Sequence, residues 1–159
     1  MLTRLSIRDV VLIEALDLDF DTGLGVLTGE TGAGKSILLD ALGLALGGRS
    51  ASGLVRQGAV QAQVSASFAP TAAALALLND NDLTIDPGEP LIVRRTVKAD
   101  GGSRAFVNDQ PVSAALLRDL GSLLVEIHGT PDFFNFHTLT YLYLLLSNYI
   151  IRDLKWQSK

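Results

Sequence analysis

The sequence predicts an α/β fold built around a glycine-rich phosphate-binding loop, a P-loop. Three observations carry that expectation. The stretch Gly29-Glu30-Thr31-Gly32-Ala33-Gly34-Lys35-Ser36 follows a short apolar run and opens a long apolar one, the strand–loop–helix setting in which such a loop works. Strict two-residue alternation recurs on both sides of it, which is the period of a half-buried strand. At 159 residues and 48% hydrophobic content the chain is long enough for one packed domain.

Taken in order, Leu5 and Ile7 alternate with Arg4, Ser6 and Arg8, and "LDLDF" over 16–20 alternates apolar with acidic residues. Both patterns read as early antiparallel strands, each with one face buried. "GVLTG" over 25–29 is a short strand entering the loop. From Lys35 to Leu46 the chain is apolar almost all round, with Asp40 its single charge after Lys35, and this predicts a helix buried on most sides. Gly47 and Gly48 end that helix, because glycine accepts the left-handed backbone that follows a helix C-terminus.

Val60, Ala62, Val64, Ala66 and Phe68 alternate with Gln61, Gln63, Ser65 and Ser67 as a strand, and "TAAALALL" over 71–78 follows as a short helix. "PLIVRRTV" and "RAFVN" flank "KADGGS", whose Asp-Gly-Gly suits the tight turn of a hairpin. Ser113 caps a helix over Ala114 to Leu120 that Gly121 ends, and "LLVEI" over 123–127 reads as a strand covered on both faces. Arg94, Arg95 and Arg104 then fall on a solvated strand face around the hairpin, while Arg8, Arg49 and Arg56 are scattered.

Composition excludes several chemistries. No cysteine means no disulfide, thiolate metal site or cysteine nucleophile, and His128 and His137 alone cannot complete a zinc site. The formal charge of −4 supplies no general basic footprint for nucleic acid. The first residues lack an apolar targeting region, which places the chain in the cytoplasm.

The loop explains its own residue types. Gly29, Gly32 and Gly34 let backbone N–H groups approach phosphate oxygens that a side chain would keep away, and the following helix N-terminus adds its positive dipole end. Lys35 reaches the β and γ phosphates of ATP as a point charge, and the Ser36 hydroxyl is a ligand for Mg²⁺. Glu30, Thr31 and Ala33 complete the phosphate-binding set through the backbone. Hydrolysis needs more: an acid at a strand end for Mg²⁺ and a residue that orients water. After the loop only Glu126 lies beside an apolar strand run, and it sits inside that run; His128 reads as a structural or loop residue, and no catalytic residue is assigned.

With these residues in view, "MLTRLSIRDVVLIEALDLDFDTGLGVLTGETGAGKSILLDALGLALGGR", "LVRQGAVQAQVSASF" and "LIVRRTVKADGGSRAFVNDQPVSAALLRDLGSLLVEIHG" closely resemble the N-terminal ATPase head segment of the bacterial RecN family of DNA repair proteins, relatives of the SMC proteins. The resemblance spans residues 1 to 129. It implies a partial ABC/SMC-type head, with an antiparallel strand layer beside the P-loop core. The implied function is double-strand break repair and recombination coupled to ATP and Mg²⁺. It also implies DNA as a partner of the intact protein, at no site identifiable here, and head-to-head homodimers in which each head completes the other's nucleotide site. An ABC transporter subunit would share the loop but not the long run around it.

The family's coordinating Gln would follow Gly129, where this chain has Thr130. In the family the coiled-coil arm, signature motif, acidic Walker B strand and switch histidine come later, and none is present in these 159 residues. The resemblance therefore predicts an ATP-binding segment of a truncated protein that does not hydrolyse ATP alone. Residues 130–159 depart sharply: they hold none of the 15 glycines, no Ala or Val, and seven of the ten aromatics. That tail is expected to be foreign to the fold, from a shifted frame or an insertion. Its alternative role is a membrane anchor, since 133–151 carries no formal charge and Arg152 and Lys155 follow, but its interspersed Asn, His, Thr and Ser residues weaken it. A segment lacking half of its head is also expected to leave apolar surface around 123–127 uncovered and to aggregate.

Overall fold

A computed structural model describes residues 1–22, 32–50 and 52–125. Strands β1 (Leu2–Val10), β2 (Ile13–Asp19), β3 (Gln61–Phe68), β4 (Leu91–Lys98), β5 (Ser103–Val107) and β6 (Gln110–Val112) form one sheet in the order β2-β1-β3-β4-β5-β6, antiparallel throughout. Helices α1 (Gly32–Ala45), α2 (Ala72–Asn79) and α3 (Ala114–Leu124) complete the described elements, with a single 3₁₀ turn over Ser52–Leu54. This is the antiparallel layer expected from the alternating stretches.

Alternation decides which way the sheet faces. Leu5 and Ile7 of β1, Ala62, Val64, Ala66 and Phe68 of β3, and Leu91, Val93 and Val97 of β4 are all buried on one side. They meet Ala41, Leu42, Leu44 and Ala45 of α1, Ala74 and Leu78 of α2, and Leu117 and Leu120 of α3 in one core. Burying a residue of Leu or Phe size contributes about 1.5–3 kcal/mol, so this one-sided stripe fixes the register: a slip by one residue would turn all of it to solvent. The opposite face carries Arg4, Arg8, Asp17 and Asp19, tied by ion pairs at 2.6–3.9 Å, and Arg94, which bonds Asp109 at 2.7 Å and lies 4.6 Å from the centre of the Phe106 ring.

The hairpin between β4 and β5 forms as its turn residues predict. Gly101 has φ +91°, its N–H donates to the Lys98 carbonyl at 2.9 Å, and the Asp100 carboxylate accepts from the Gly102 N–H at 2.9 Å. Thr71 and Ser113 cap α2 and α3, accepting from the backbone N–H groups of Ala74 and Leu116.

Several expectations fail, each for a physical reason. Gly121 does not end α3; it is buried inside the helix, where an added Cβ would lie 3.0 Å from Leu46 Cβ, so the glycine serves close packing against the end of α1. Leu123 and Leu124 are helical rather than extended, since α3 runs on to bury Leu124 beneath its amphipathic face. Val60 is 81% exposed and outside β3: its carbonyl still accepts from the Ala99 N–H at 3.0 Å, but the paired register ends at Gln61 opposite Lys98, the last residue of β4. Arg95 is not on a solvated face: it belongs to the inward set between Val93 and Val97 and is buried. Helix α1 is buried over its second half, whereas Ile37, Leu38 and Leu39 are half-buried, so it is less enclosed than its composition suggests.

The strand β6 was not expected. Asn108 and Asp109, at φ +41° and +64°, form a two-residue turn of the kind that suits a hairpin's twist, and the Pro111 that disguised the strand lies at the sheet edge, where no ladder donor is needed.

Candidate nucleotide site

The site is built around the start of α1. That helix begins at Gly32, inside the glycine-rich motif and three residues before the Lys35 at which the apolar periodicity starts. The first N–H groups of any helix have no intrahelical acceptor, so those at Gly32 to Lys35 take partners from outside the helix. Ser36 follows on the next turn and is exposed. Gly29, Glu30 and Thr31, with the strand expected over 25–29, lie outside the described residues. Of Gly32, Ala33, Gly34 and Lys35 the structure gives the helical backbone.

Packing fixes where this helix end stands. Helix α1 lies across β1, β3 and β4, and Ala41, Leu42, Leu44 and Ala45 anchor its second half in the core. Its far end is closed by a Schellman motif: the Gly48 N–H donates to the Gly43 carbonyl at 2.9 Å and the Gly47 N–H to the Leu44 carbonyl at 3.2 Å, with Gly47 at φ +85°. The anchored second half of α1 thus fixes the direction in which its amino-terminal N–H dipoles point, the arrangement that suits an anion.

Asp40 lies four residues after Ser36, on the same side of the helix by the 3.6-residue repeat. It keeps contact with solvent, yet partial burial pushes its carboxyl up from the ordinary value. The sequence marked Asp40 only as a lone charge; its relation to Ser36 follows once the helix is in place.

The structure brings the helical part of the motif together and places the other candidates apart from it. Arg94 and Arg104 are on β4 and β5, Arg56 bonds Asp9 at 2.7 Å, and Glu126 and His128 lie outside the described residues. Among the described residues no group of three or more His, Asp and Glu is placed to hold a metal ion. None of the described helices is long and apolar enough to cross a membrane; the segment 133–151 lies outside them. The donor set that is present, helix-end N–H groups followed by a lysine and a serine hydroxyl, fits a magnesium-bound polyphosphate.

Comparison with known proteins places the chain in a family. The family model described as an AAA domain matches residues 4–135. The DNA repair protein RecN of Vibrio cholerae is 46% identical over 131 residues, covering 81% of this chain and 23% of that protein. RecN of Bacillus subtilis is 43% identical over 133 residues, covering 83% of this chain and 23% of that protein. The chain thus spans about a quarter of the length of these curated relatives. Among solved structures, one described under ATP-driven dimerization and DNA-stimulated activation of SMC ATPases superposes with a TM-score of 0.64 at 22% identity, covering 85% of this chain and 84% of that one. That likeness shows the fold: a P-loop ATPase head of the SMC type, of which the antiparallel sheet and α1 are parts.

Proposed function

Because the chain belongs to the AAA domain family and is RecN-type in sequence, we propose that it binds ATP with Mg²⁺ at Gly29 to Ser36, as the ATP-binding segment of a DNA repair protein. The observation that carries the reading is the start of α1 at Gly32, inside the motif, which sets the helix's unbonded N–H groups where phosphate oxygens would lie. Lys35 contributes charge to the β and γ phosphates, and Ser36 holds the metal. ATP supplies the phosphate chain and, on hydrolysis, the free energy; the residues here bind and orient it.

After the loop the sequence has no acid that ends an apolar strand run, so no carboxylate joins Ser36 at Mg²⁺, and no residue is assigned to orient water. It binds nucleotide without turnover. Residues 1–129 form the head segment and 130–159 are foreign to it, on the compositional break at Gly129. The intact protein acts in double-strand break repair and recombination in the cytoplasm, with DNA as partner and two heads pairing across nucleotide, by extension from its RecN relatives and the SMC ATPase fold.

Mg-ATP binding and phosphate release, both measured on the 159-residue chain, test this. Binding that disappears in Lys35→Ala, with no release above background, is the expected result. Binding unchanged by Lys35→Ala would sink the site, whereas Lys35-dependent phosphate release would sink the claim of no turnover while leaving the site standing.

A further inference from the structure

Arg95 raises a problem that the nucleotide site does not solve. It sits on the core face of β4 and is 6% exposed. One guanidinium nitrogen donates to Ser103 Oγ at 3.0 Å, and its Nε has no hydrogen-bond partner. None of the ion pairs among the described residues includes it. Burial, and after it the guanidinium of Arg118 on α3, disfavour the charge on Arg95. A lysine so placed could shed its proton; an arginine cannot. A buried, permanently charged group is costly unless it is paired and its donors are bonded, and one donor here is still unmatched.

The surroundings supply the rest of a receptor. Ser103 Oγ, which accepts from Arg95, also meets Ser50 Oγ at 3.3 Å, on the segment after α1. Ser103 and Arg118 are exposed, so solvent reaches two members of the cluster while Arg95 beside Ser103 is buried. Arg118 is held in place by packing: the α1 cap presses on α3 at Gly47, whose carbonyl accepts from Arg118 at 3.4 Å. The 14 residues of α1 separate this cluster from the P-loop by about 20 Å at 1.5 Å per residue, so one ligand cannot fill both.

We propose that Arg95, Ser103, Ser50 and Arg118 form a second anion-binding site at the C-terminal end of α1, which takes one oxyanion group, a phosphate or a carboxylate. The group matches the Nε–H that lacks an acceptor, draws hydrogen bonds from the two hydroxyls and relieves the repulsion between the arginines. The site does not depend on the nucleotide reading.

Its test weakens the P-loop first, and the variants at Arg95, Arg118 and Ser103 then separate the two sites. The full Lys35→Ala chain is melted in sodium phosphate, sodium acetate and sodium chloride at matched ionic strength. A rise in Tm of about 5 °C over chloride is expected in phosphate, in acetate or in both. Phosphate alone would identify a free tetrahedral anion as the ligand, whereas an acetate effect would identify a carboxylate, as from an acidic side chain. Adding Arg95→Met should abolish the rise and also lift the Tm in chloride, because the unmatched buried charge is gone. Adding Arg118→Gln or Ser103→Ala, both at exposed positions, should reduce the rise by half or more and keeps the test decisive where Arg95→Met does not fold. Equal Tm values in the three salts, or a rise that survives Arg118→Gln and Ser103→Ala, would overturn the proposal.

Discussion

Gly47 stands so close to Arg118 that a Cβ placed on it would lie 2.6 Å from the Arg118 backbone nitrogen and equally near the Ala114 carbonyl oxygen. With φ at +85° it is doubly restricted, by backbone conformation and by space. Gly47→Ala should therefore destabilise the fold by about 3 kcal/mol, since neither neighbour is a movable side-chain tip. Gly43→Ala is the control: nothing lies within 4 Å of its added Cβ, and inside α1 alanine should stabilise by about 0.5–1 kcal/mol. Urea melts of the two variants check both signs, and equal losses would refute the packing argument.

Asn108 holds the unexpected sixth strand in place. Its Oδ1 accepts from the Ile92 N–H at 2.7 Å, its Nδ2 donates to the Pro90 carbonyl at 3.0 Å, and its φ of +41° suits asparagine or glycine. Asn108→Ala removes both bonds and adds backbone strain, for a loss of about 2–3 kcal/mol. Asn108→Gly keeps the turn and loses only the bonds, so its loss should be about half as large. Chemical denaturation of the pair separates the two contributions.

These two glycine and asparagine positions show where sequence reading works and where it stops. Alternation places β1, β2 and β3, because a one-sided core imposes a period of two on Leu5, Ile7, Leu18 and Val64, and the Asp-Gly-Gly turn places β4 and β5 on its flanks. The turn at Asp100 to Gly102 and the caps at Thr71 and Ser113 are equally legible, since local chemistry dictates them. Gly47 and Gly121 look alike in sequence; only the approach of α3 to the end of α1 makes one a helix terminator and the other a packing surface. Arg95 was misassigned because a charged residue is normally read as solvated, although its place between Val93 and Val97 already set it on the inward face. Of the nucleotide site, the motif fixed the residue types, while the start of α1 at Gly32 and the position of Asp40 relative to Ser36 required the helix itself.

Asp17 should make stability fall in acid. The hydrogen bond from Arg8, at 2.6 Å, is the main cause holding its carboxyl below the ordinary carboxylate range, and a bond from Ser6 adds to it against a small opposing effect of burial. A carboxyl whose folded value is depressed contributes stability that is complete above its unfolded value, near 3.9, and is lost as pH falls through the folded value. The side chain is 37% exposed, so solvent holds the contribution to about 0.5 kcal/mol. Wild type should thus exceed Asp17→Asn in Tm at neutral pH, with the gap closing below about pH 4. A gap that is constant from neutral to strongly acidic pH would assign the effect to something other than this carboxylate.

Ser36 provides the sharpest check on the proposed metal role, because it separates the metal from the phosphates. It lies one turn into α1 on an exposed position, beyond the N–H groups that would hold the phosphate chain, so its hydroxyl can be removed without disturbing the core. Ser36→Ala should retain the Mg²⁺-independent affinity for ATP, measured in EDTA, while losing about tenfold of the further affinity that Mg²⁺ confers, or about 1.4 kcal/mol. Lys35→Ala should weaken binding under both conditions, since a point charge acts on the phosphates whether or not the metal is present. Calorimetric titrations of the three proteins with and without Mg²⁺ give the comparison directly. If Ser36→Ala and Lys35→Ala lost affinity in parallel in EDTA, the hydroxyl would be acting on the phosphates, and the metal would have to be held elsewhere in the loop.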